Sequence, residues 1–251
     1  MNDRPEPTRV VLAHGFTQTA RSWAEFEALL AERLGDVAAV AVDLPGHGEC
    51  TAPLDADLWA AAEHLTTVGG TAHYVGYSMG GRVALHAALR SPDRVRSLVL
   101  IGATAGIDDD TERSVRREAD ERLADRIEAI GVEAFIDEWL ASPLFAGLDA
   151  SSAQRDDRLR NTAAGLAASL RSTGTGTQEP LWDRLGEVTQ PVLVLAGAHD
   201  AKFRVLGERL AAGLPHATFH VIAGAGHTVH LEQPTATADA VAGWFRSTAR
   251  R

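Results

Sequence analysis

Gly76-Tyr77-Ser78-Met79-Gly80-Gly81 follows a strand-like run at residues 72–75 and precedes a helix-like run at residues 82–89. The pattern G-x-S-x-G sets a glycine two residues before and two after a serine. A strand-to-helix turn that tight leaves no room for a Cβ at either place. Ser78 is then expected at the tip of a nucleophile elbow, in strained backbone, with its hydroxyl exposed. So short a pattern also arises by chance, and a capping serine on a Gly-rich helix start is the plain alternative. The strand before it and the helix after it favour the elbow.

Outward from the elbow, residues 9–13 (RVVLA) form a β-rich run that stops at His14-Gly15-Phe16. A helix is expected from about Ser22, with Trp23, Phe26, Leu29, Leu30 and Leu34 at helical spacing. Residues 37–44 (VAAVAVDL) are almost continuously apolar, as a parallel strand covered on both faces should be. They run into Asp43-Leu44-Pro45-Gly46-His47-Gly48, a turn dense in breakers. A helix over 57–68 precedes the elbow strand, and 95–101 (VRSLVLI) is the strand after the elbow helix.

From Gly106 to Trp182 strand-like runs vanish, and charged helical segments replace them over 110–130, 132–139 and 151–171. This reads as a helical cap, residues 106–182, inserted in a core made of 1–105 and 183–251. Alternation returns with a strand at 191–196, a helix at 205–212, a strand at 217–222 and a closing helix at 235–250. The fold expected is α/β: a mostly parallel, twisted sheet with helices on both faces, which binds ligands at the carboxyl ends of its strands.

Composition limits the partners. A chain of 251 residues is long enough for one large core, and its formal net charge of −10 argues against nucleic acid or an anionic membrane surface. No apolar run approaches the roughly 20 residues of a membrane span. The single cysteine, Cys50, suits a reducing compartment. Residues 1–8 are polar and lack the pattern of a secretory leader, so a cytoplasmic protein is expected. No exposed apolar stripe stands out, which favours a monomer. An anionic substrate would need a local cluster of arginines to reverse the overall field.

The polar residues at the strand ends suggest chemistry. Ser78 follows the elbow strand, Asp200 the strand ending at Ala196, and His227 the strand ending at Ile222. A serine hydroxyl becomes a useful nucleophile or base when an imidazole takes its proton, and a carboxylate fixes that imidazole's tautomer. Ser78, Asp200 and His227 are therefore the expected triad, with the backbone N–H groups of Phe16 and Met79 as oxyanion donors. A competing acid lies in Asp108-Asp109-Asp110, although a charge run opening a helix is more often a cap. His227 and His230 have the spacing of a metal pair, but no carboxylate or cysteine constellation supports one. His47 reads as structural or as a pocket edge; His64, His73, His86, His199, His216 and His220 have no motif context.

Together, His14-Gly15-Phe16, the 43–48 turn, the elbow continuing into Arg82, and Gly226-His227 resemble the α/β-hydrolase superfamily across nearly the whole chain. Within it, the cap exit Ser172-Thr173-Gly174-Thr175-Gly176-Thr177-Gln178 and the segment Asp200-Ala201-Lys202-Phe203 are similar to the 2-succinyl-6-hydroxy-2,4-cyclohexadiene-1-carboxylate synthases of menaquinone biosynthesis. One departure is Glu179, which stands where the family commonly has the proline found here at position 180. The resemblance implies a lyase that expels pyruvate from a small polycarboxylate substrate, with no metal or other cofactor. It further implies that Arg82, Arg116 and Arg158 hold substrate carboxylates, and that Tyr77 and Trp139 lie beside them. The alternatives are a serine hydrolase of an ester, thioester or C–C bond using the same triad, and a binding module without turnover.

Overall fold

The computed structural model describes residues 8–248. Six strands, β1 (Thr8–Ala13), β2 (Val37–Val42), β3 (Ala72–Tyr77), β4 (Val95–Ile101), β5 (Val192–Gly197) and β6 (Ala217–Ile222), form one sheet in the order β2-β1-β3-β4-β5-β6. Every pairing is parallel. Parallel neighbours need crossover helices, and these cover both faces. The helices α1 (Ala24–Leu34) and α9 (Pro234–Thr248) cover one face, with Trp23, Phe26, Leu30, Val241 and Phe245 buried against Val10, Leu12, Val75 and Val99. On the other face lie α2 (Leu58–Gly69), α3 (Met79–Arg90) and α7 (Ala201–Gly213). The closing helix expected over 235–250 is seen to Thr248, and positions 249–250 lie outside the described residues.

Between β4 and β5 the chain is helical: α4 (Asp110–Leu140), the one-turn α5 (Arg155–Arg158) and α6 (Ala163–Thr173). This is the helical cap. Its own core is Ala124, Ile127, Phe135 and Ile136 of α4 against Leu166, Ala167 and Leu170 of α6. Gly131, at φ 81° and ψ 168°, breaks α4 at the point where the sequence pattern also breaks. The continuous helix expected over 151–171 is not formed. Instead Asn161 sits in a turn, and the Thr162 side chain accepts from the Gly165 N–H at 3.0 Å to start α6 afresh. A threonine at such a position competes with helix continuation by capping. The cap docks on the 43–48 turn at two glycines: a Cβ on Gly46 would meet the Gly165 carbonyl oxygen at 2.5 Å, and a Cβ on Gly165 would meet that of Gly46 at 2.4 Å.

Several histidines are built in as neutral side chains. His14 Nε2 accepts from the Leu44 N–H at 3.0 Å, and its Nδ1 faces the Gly15 carbonyl at 2.9 Å. His47 Nε2 accepts from the Thr17 N–H at 3.3 Å, and its Nδ1 faces the Pro45 carbonyl at 3.1 Å. Protonation would turn each accepting nitrogen into a donor aimed at a donor. Burial, then the neighbouring His14, pushes His47 down to about 3. Burial also pushes His230 down to about 3 and His86 to about 4, and it lowers His14.

In the unfolded chain these histidines bind protons below about pH 6.5, whereas in the fold they resist protonation. Their contribution to stability is therefore complete above that value and is lost as pH falls, by up to about 1.4 kcal/mol per pH unit for each group. Denaturation midpoints at about pH 7.5 and about pH 5 should differ clearly, the acid one being lower. Equal midpoints would mean that the imidazoles are not held neutral.

Candidate functional site

The elbow places Ser78 at the end of β3 and the start of α3 with φ 50° and ψ −107°, a conformation that costs a non-glycine residue strain energy. What holds it is close packing. A Cβ on Gly76 would meet the Gly80 carbonyl oxygen at 2.4 Å, and a Cβ on Gly80 would meet the Ala13 carbonyl oxygen at 2.1 Å. The Ser78 N–H donates to the Ile101 carbonyl at 2.8 Å, anchoring the tip to β4.

The sheet brings Asp200 and His227 to the same end. His227 Nε2 lies 3.3 Å from Ser78 Oγ, and His227 Nδ1 lies 2.7 Å from Asp200 Oδ2. Asp200 uses its other oxygen to cap α7, accepting from the Phe203 N–H at 3.1 Å. Burial pushes the Asp200 carboxyl up, but the His227 bond and charge, the Phe203 N–H and Lys202 together hold it below its ordinary value. It is therefore an anion at neutral pH and can accept an Nδ1–H. Glu232, in the short helix α8 (Val229–Glu232), fixes the His227 loop by accepting from the Gly226 N–H at 2.6 Å and the Thr228 N–H at 2.9 Å. The rival acids are engaged elsewhere: Asp108 pairs with Arg209, Asp109 caps α4, and Asp110 pairs with Arg113.

Ser78 and His227 open into a cavity of about 480 Å³ beneath the cap. Phe16 and Met79 line it, and among the described hydrogen bonds neither backbone N–H has an acceptor. The remaining wall carries Arg82, Arg116, Lys202, Asp120, Trp139 and Phe203, three cations against one carboxylate. Arg82 is buried, and its Nη1 donates to the Thr173 carbonyl at 2.7 Å and to Gln178 Oε1 at 3.3 Å. The described hydrogen bonds leave its Nε and Nη2 unused. Burial, then the charge of Arg116, lowers Arg82 to about 10 against the opposing pull of Asp120, and no described ion pair gives Arg82 a carboxylate of its own. Arg116 is half-exposed and pairs with buried Asp120 at 2.8 Å. Trp139 packs edge-on against Phe16 with ring centroids 5.5 Å apart, and its buried Nε1 has no partner.

Comparison with known proteins agrees with this architecture. The model of the alpha/beta hydrolase family matches residues 10–240. The chain belongs to that family. It is 38% identical over 238 residues, 90% of this chain and 85% of the other, to a putative 2-succinyl-6-hydroxy-2,4-cyclohexadiene-1-carboxylate synthase of Bacillus subtilis. It is 32% identical over 249 residues to the synthase of that name from Citrobacter koseri, covering 95% of this chain and 94% of the other. Among solved structures, MenH from S. aureus superposes with a TM-score of 0.89 at 28% identity, over 98% of this chain and 96% of that one. An esterase from Thermogutta terrifontis superposes with a TM-score of 0.82 at 27% identity, over 96% and 90%.

In this alpha/beta hydrolase, two residues expected in the pocket lie outside its lining. Tyr77 shares a strand face with Val75, and the two-residue alternation of β3 turns it into the core under α1 and α9. Its ring packs 4.6 Å from that of His230 and 5.4 Å from that of His227. Alternation was the available signal. Arg158 is buried behind the loop that follows β1, where Nη1 donates to Thr17 Oγ1, Nε donates to the Ala153 carbonyl at 2.9 Å, and the guanidinium lies over the Phe145 ring. Its Nη2 has no partner. His230 is stacked on Trp23 with ring centroids 4.4 Å apart.

The cavity also holds two residues to which the motifs gave no role, Asp120 and Lys202, and it is braced by Gln178. Asp120 stands four residues after Arg116, and Gln178 and Lys202 lie in the segments 172–178 and 200–203; those positions were the only signal. Glu179 is exposed while Gln178 is buried, so the extra residue at the cap exit does not take Gln178 from Arg82.

Gly80→Ala is expected to destabilise the protein by about 1–3 kcal/mol, because the atoms its Cβ would meet, the carbonyls of Ala13 and His14, are backbone that cannot yield. Denaturant unfolding measures it. An unchanged midpoint would mean that the elbow is looser than its packing implies.

Proposed function

We propose that this chain is a lyase of menaquinone biosynthesis. It would eliminate pyruvate from 2-succinyl-5-enolpyruvyl-6-hydroxy-3-cyclohexene-1-carboxylate, giving 2-succinyl-6-hydroxy-2,4-cyclohexadiene-1-carboxylate. The names of its curated relatives point there. The observation that carries the reading is the cation-lined cavity: in a chain of net charge −10, Arg82, Arg116 and Lys202 converge beside Ser78. A neutral ester would gain nothing from a buried guanidinium lacking a carboxylate. A polycarboxylate would supply the missing counterions through charge-assisted, in part bidentate, hydrogen bonds.

In this reading His227, oriented by Asp200, takes the Ser78 proton, and Ser78 Oγ removes a proton from the ring. The electron pair moves through the ring in a 2,5-elimination, the C–O bond to the enolpyruvyl group breaks, and the leaving enolate takes up a proton to become pyruvate. In this reading negative charge that develops on the substrate is met by the backbone N–H groups of Phe16 and Met79, two cavity residues whose N–H groups have no acceptor among the described hydrogen bonds; donors held by the fold need no reorganisation.

The same triad serves an ester, thioester or C–C hydrolase, the second reading, and the likeness to a solved esterase keeps it in view. The two separate in one assay. The cyclohexene substrate is generated in situ and pyruvate release is followed, with a p-nitrophenyl ester run in parallel. The lyase reading expects rapid pyruvate release, a loss of several orders of magnitude in Ser78→Ala, and negligible ester cleavage. Efficient ester cleavage without pyruvate overturns it.

Arg82→Ala should raise KM and lower kcat together, costing about 10- to 100-fold in kcat/KM, as expected for loss of a charged hydrogen-bonding clamp. Unchanged constants would remove Arg82 from the site.

A further inference from the structure

We infer that the cap segment 157–161 is a positioning device for the oxyanion loop, with Asp157 and Asn161 as its working residues. The inference rests on the reading of Phe16 N–H as an oxyanion donor.

The residue next to Phe16 is Thr17, at φ 71°. A β-branched residue in this left-handed region is strained by about 1–3 kcal/mol and persists only where its surroundings over-determine it. Thr17 is fully buried, and each of its polar groups is taken. Its N–H donates to His47 Nε2 at 3.3 Å, its carbonyl accepts from Asn161 Nδ2 at 2.7 Å, and its Oγ1 accepts from Arg158 Nη1. Two of these three partners come from the cap. Two residues on, the Thr19 N–H donates to Asp157 Oδ2 at 3.1 Å, and the Thr19 hydroxyl donates to Asp157 Oδ1.

Asn161 is the junction of the network. Its Nδ2 also donates to the Arg158 carbonyl at 2.9 Å, and its Oδ1 accepts from the Gly48 N–H at 2.9 Å. Two acceptors on one side and one donor on the other fix the orientation of the amide. One side chain thus ties the cap, the loop after β1 and the turn after β2. The three cap residues on this loop fall within five positions of sequence, 138, 141 and 144 residues from their targets.

The clamp has a chemical consequence. Rotation about φ of Thr17 swings the peptide that joins it to Phe16, and the Gly15–Phe16 peptide that carries the Phe16 N–H moves with it, so relaxing φ of Thr17 tilts that donor against the cavity. A donor that meets charge only in the transition state affects the chemical step and not ground-state binding. Asp157 and Asn161 touch no substrate in this scheme; they act through Thr17 and Thr19.

The test compares wild type, Asn161→Ala, Asp157→Asn, Thr17→Gly and the double variant Thr17→Gly/Asn161→Ala. The main readout is the reaction of Ser78 with a fluorophosphonate: Oγ attacks phosphorus, the P–F bond breaks, fluoride leaves, and His227 takes the hydroxyl proton. The phosphoryl oxygen must enter the oxyanion site whatever the natural substrate is. Pyruvate release is measured alongside, and thermal unfolding confirms that each variant is folded.

The expected result for Asn161→Ala is a maximal phosphonylation rate lowered at least tenfold with the half-saturating concentration within twofold of wild type. Asp157→Asn should shift in the same direction. Glycine adopts φ 71° without strain, so the double variant should recover at least half of the logarithmic loss. An unchanged rate in folded Asn161→Ala, a loss confined to half-saturation, or a double variant no faster than Asn161→Ala each overturns the clamp. Phosphonylation by wild type without pyruvate release sinks the lyase reading and leaves the clamp to be decided by the probe. A wild type inert to the probe overturns both.

Discussion

The approach of Gly80 to the carbonyls of Ala13 and His14 is the contact on which the site depends. A Cβ at position 80 would stand 2.1 Å from one oxygen and 2.6 Å from the other, so elbow and β1 loop are as close as two backbones can pack. That contact brings Met79 and Phe16 to the lining of one cavity, although they are 63 residues apart. Ser78 inherits its strained φ of 50° from the same packing. The strain is borne by the sheet, since β1, β3 and β4 are neighbours in it.

Electrostatics adds a second constraint. The chain is strongly acidic, but much of that charge is spent on the surface of the cap, where Arg171 alone meets Glu121, Asp125 and Glu128. Such exposed pairs contribute little individually. Inside the cavity the balance reverses: Arg82 is buried beside Arg116, with Asp120 the carboxylate that offsets them. A buried cation repelled by its neighbour is costly, and a bound anion relieves that cost. The cap closes the site over and adds the Arg116–Asp120 pair, while the excess positive charge comes from Arg82 of α3 and Lys202 of α7 in the core.

Much of the site was legible because its chemistry sits at strand ends. The elbow glycines, the order of Ser78, Asp200 and His227, and the loop His14-Gly15-Phe16 each mark where a strand stops, and parallel strands in one sheet stop on one side. The cap was less legible. Arg116 and Arg158 look alike in sequence, each within a charged helical segment, yet one lines the cavity and the other is buried behind Thr17. Helical periodicity gives the face a residue occupies on its own helix; it carries no information on which neighbour that face meets. Tyr77 was misplaced for a different reason, since its nearness to Ser78 in sequence outweighed the alternation that turns it to the other face of β3.

The sequence by itself determined the sheet, the elbow and the identity of the three residues that meet there, because strand alternation, breaker residues and glycine spacing are local signals. Tertiary structure decided which cap side chains face the cavity, and that Arg82 is braced by Gln178 from 96 positions away. It also decided that Thr17, which no local pattern marks as left-handed, is held at φ 71° by residues of the cap. These are long-range hydrogen bonds whose partners are paired only once the cap has docked on the sheet.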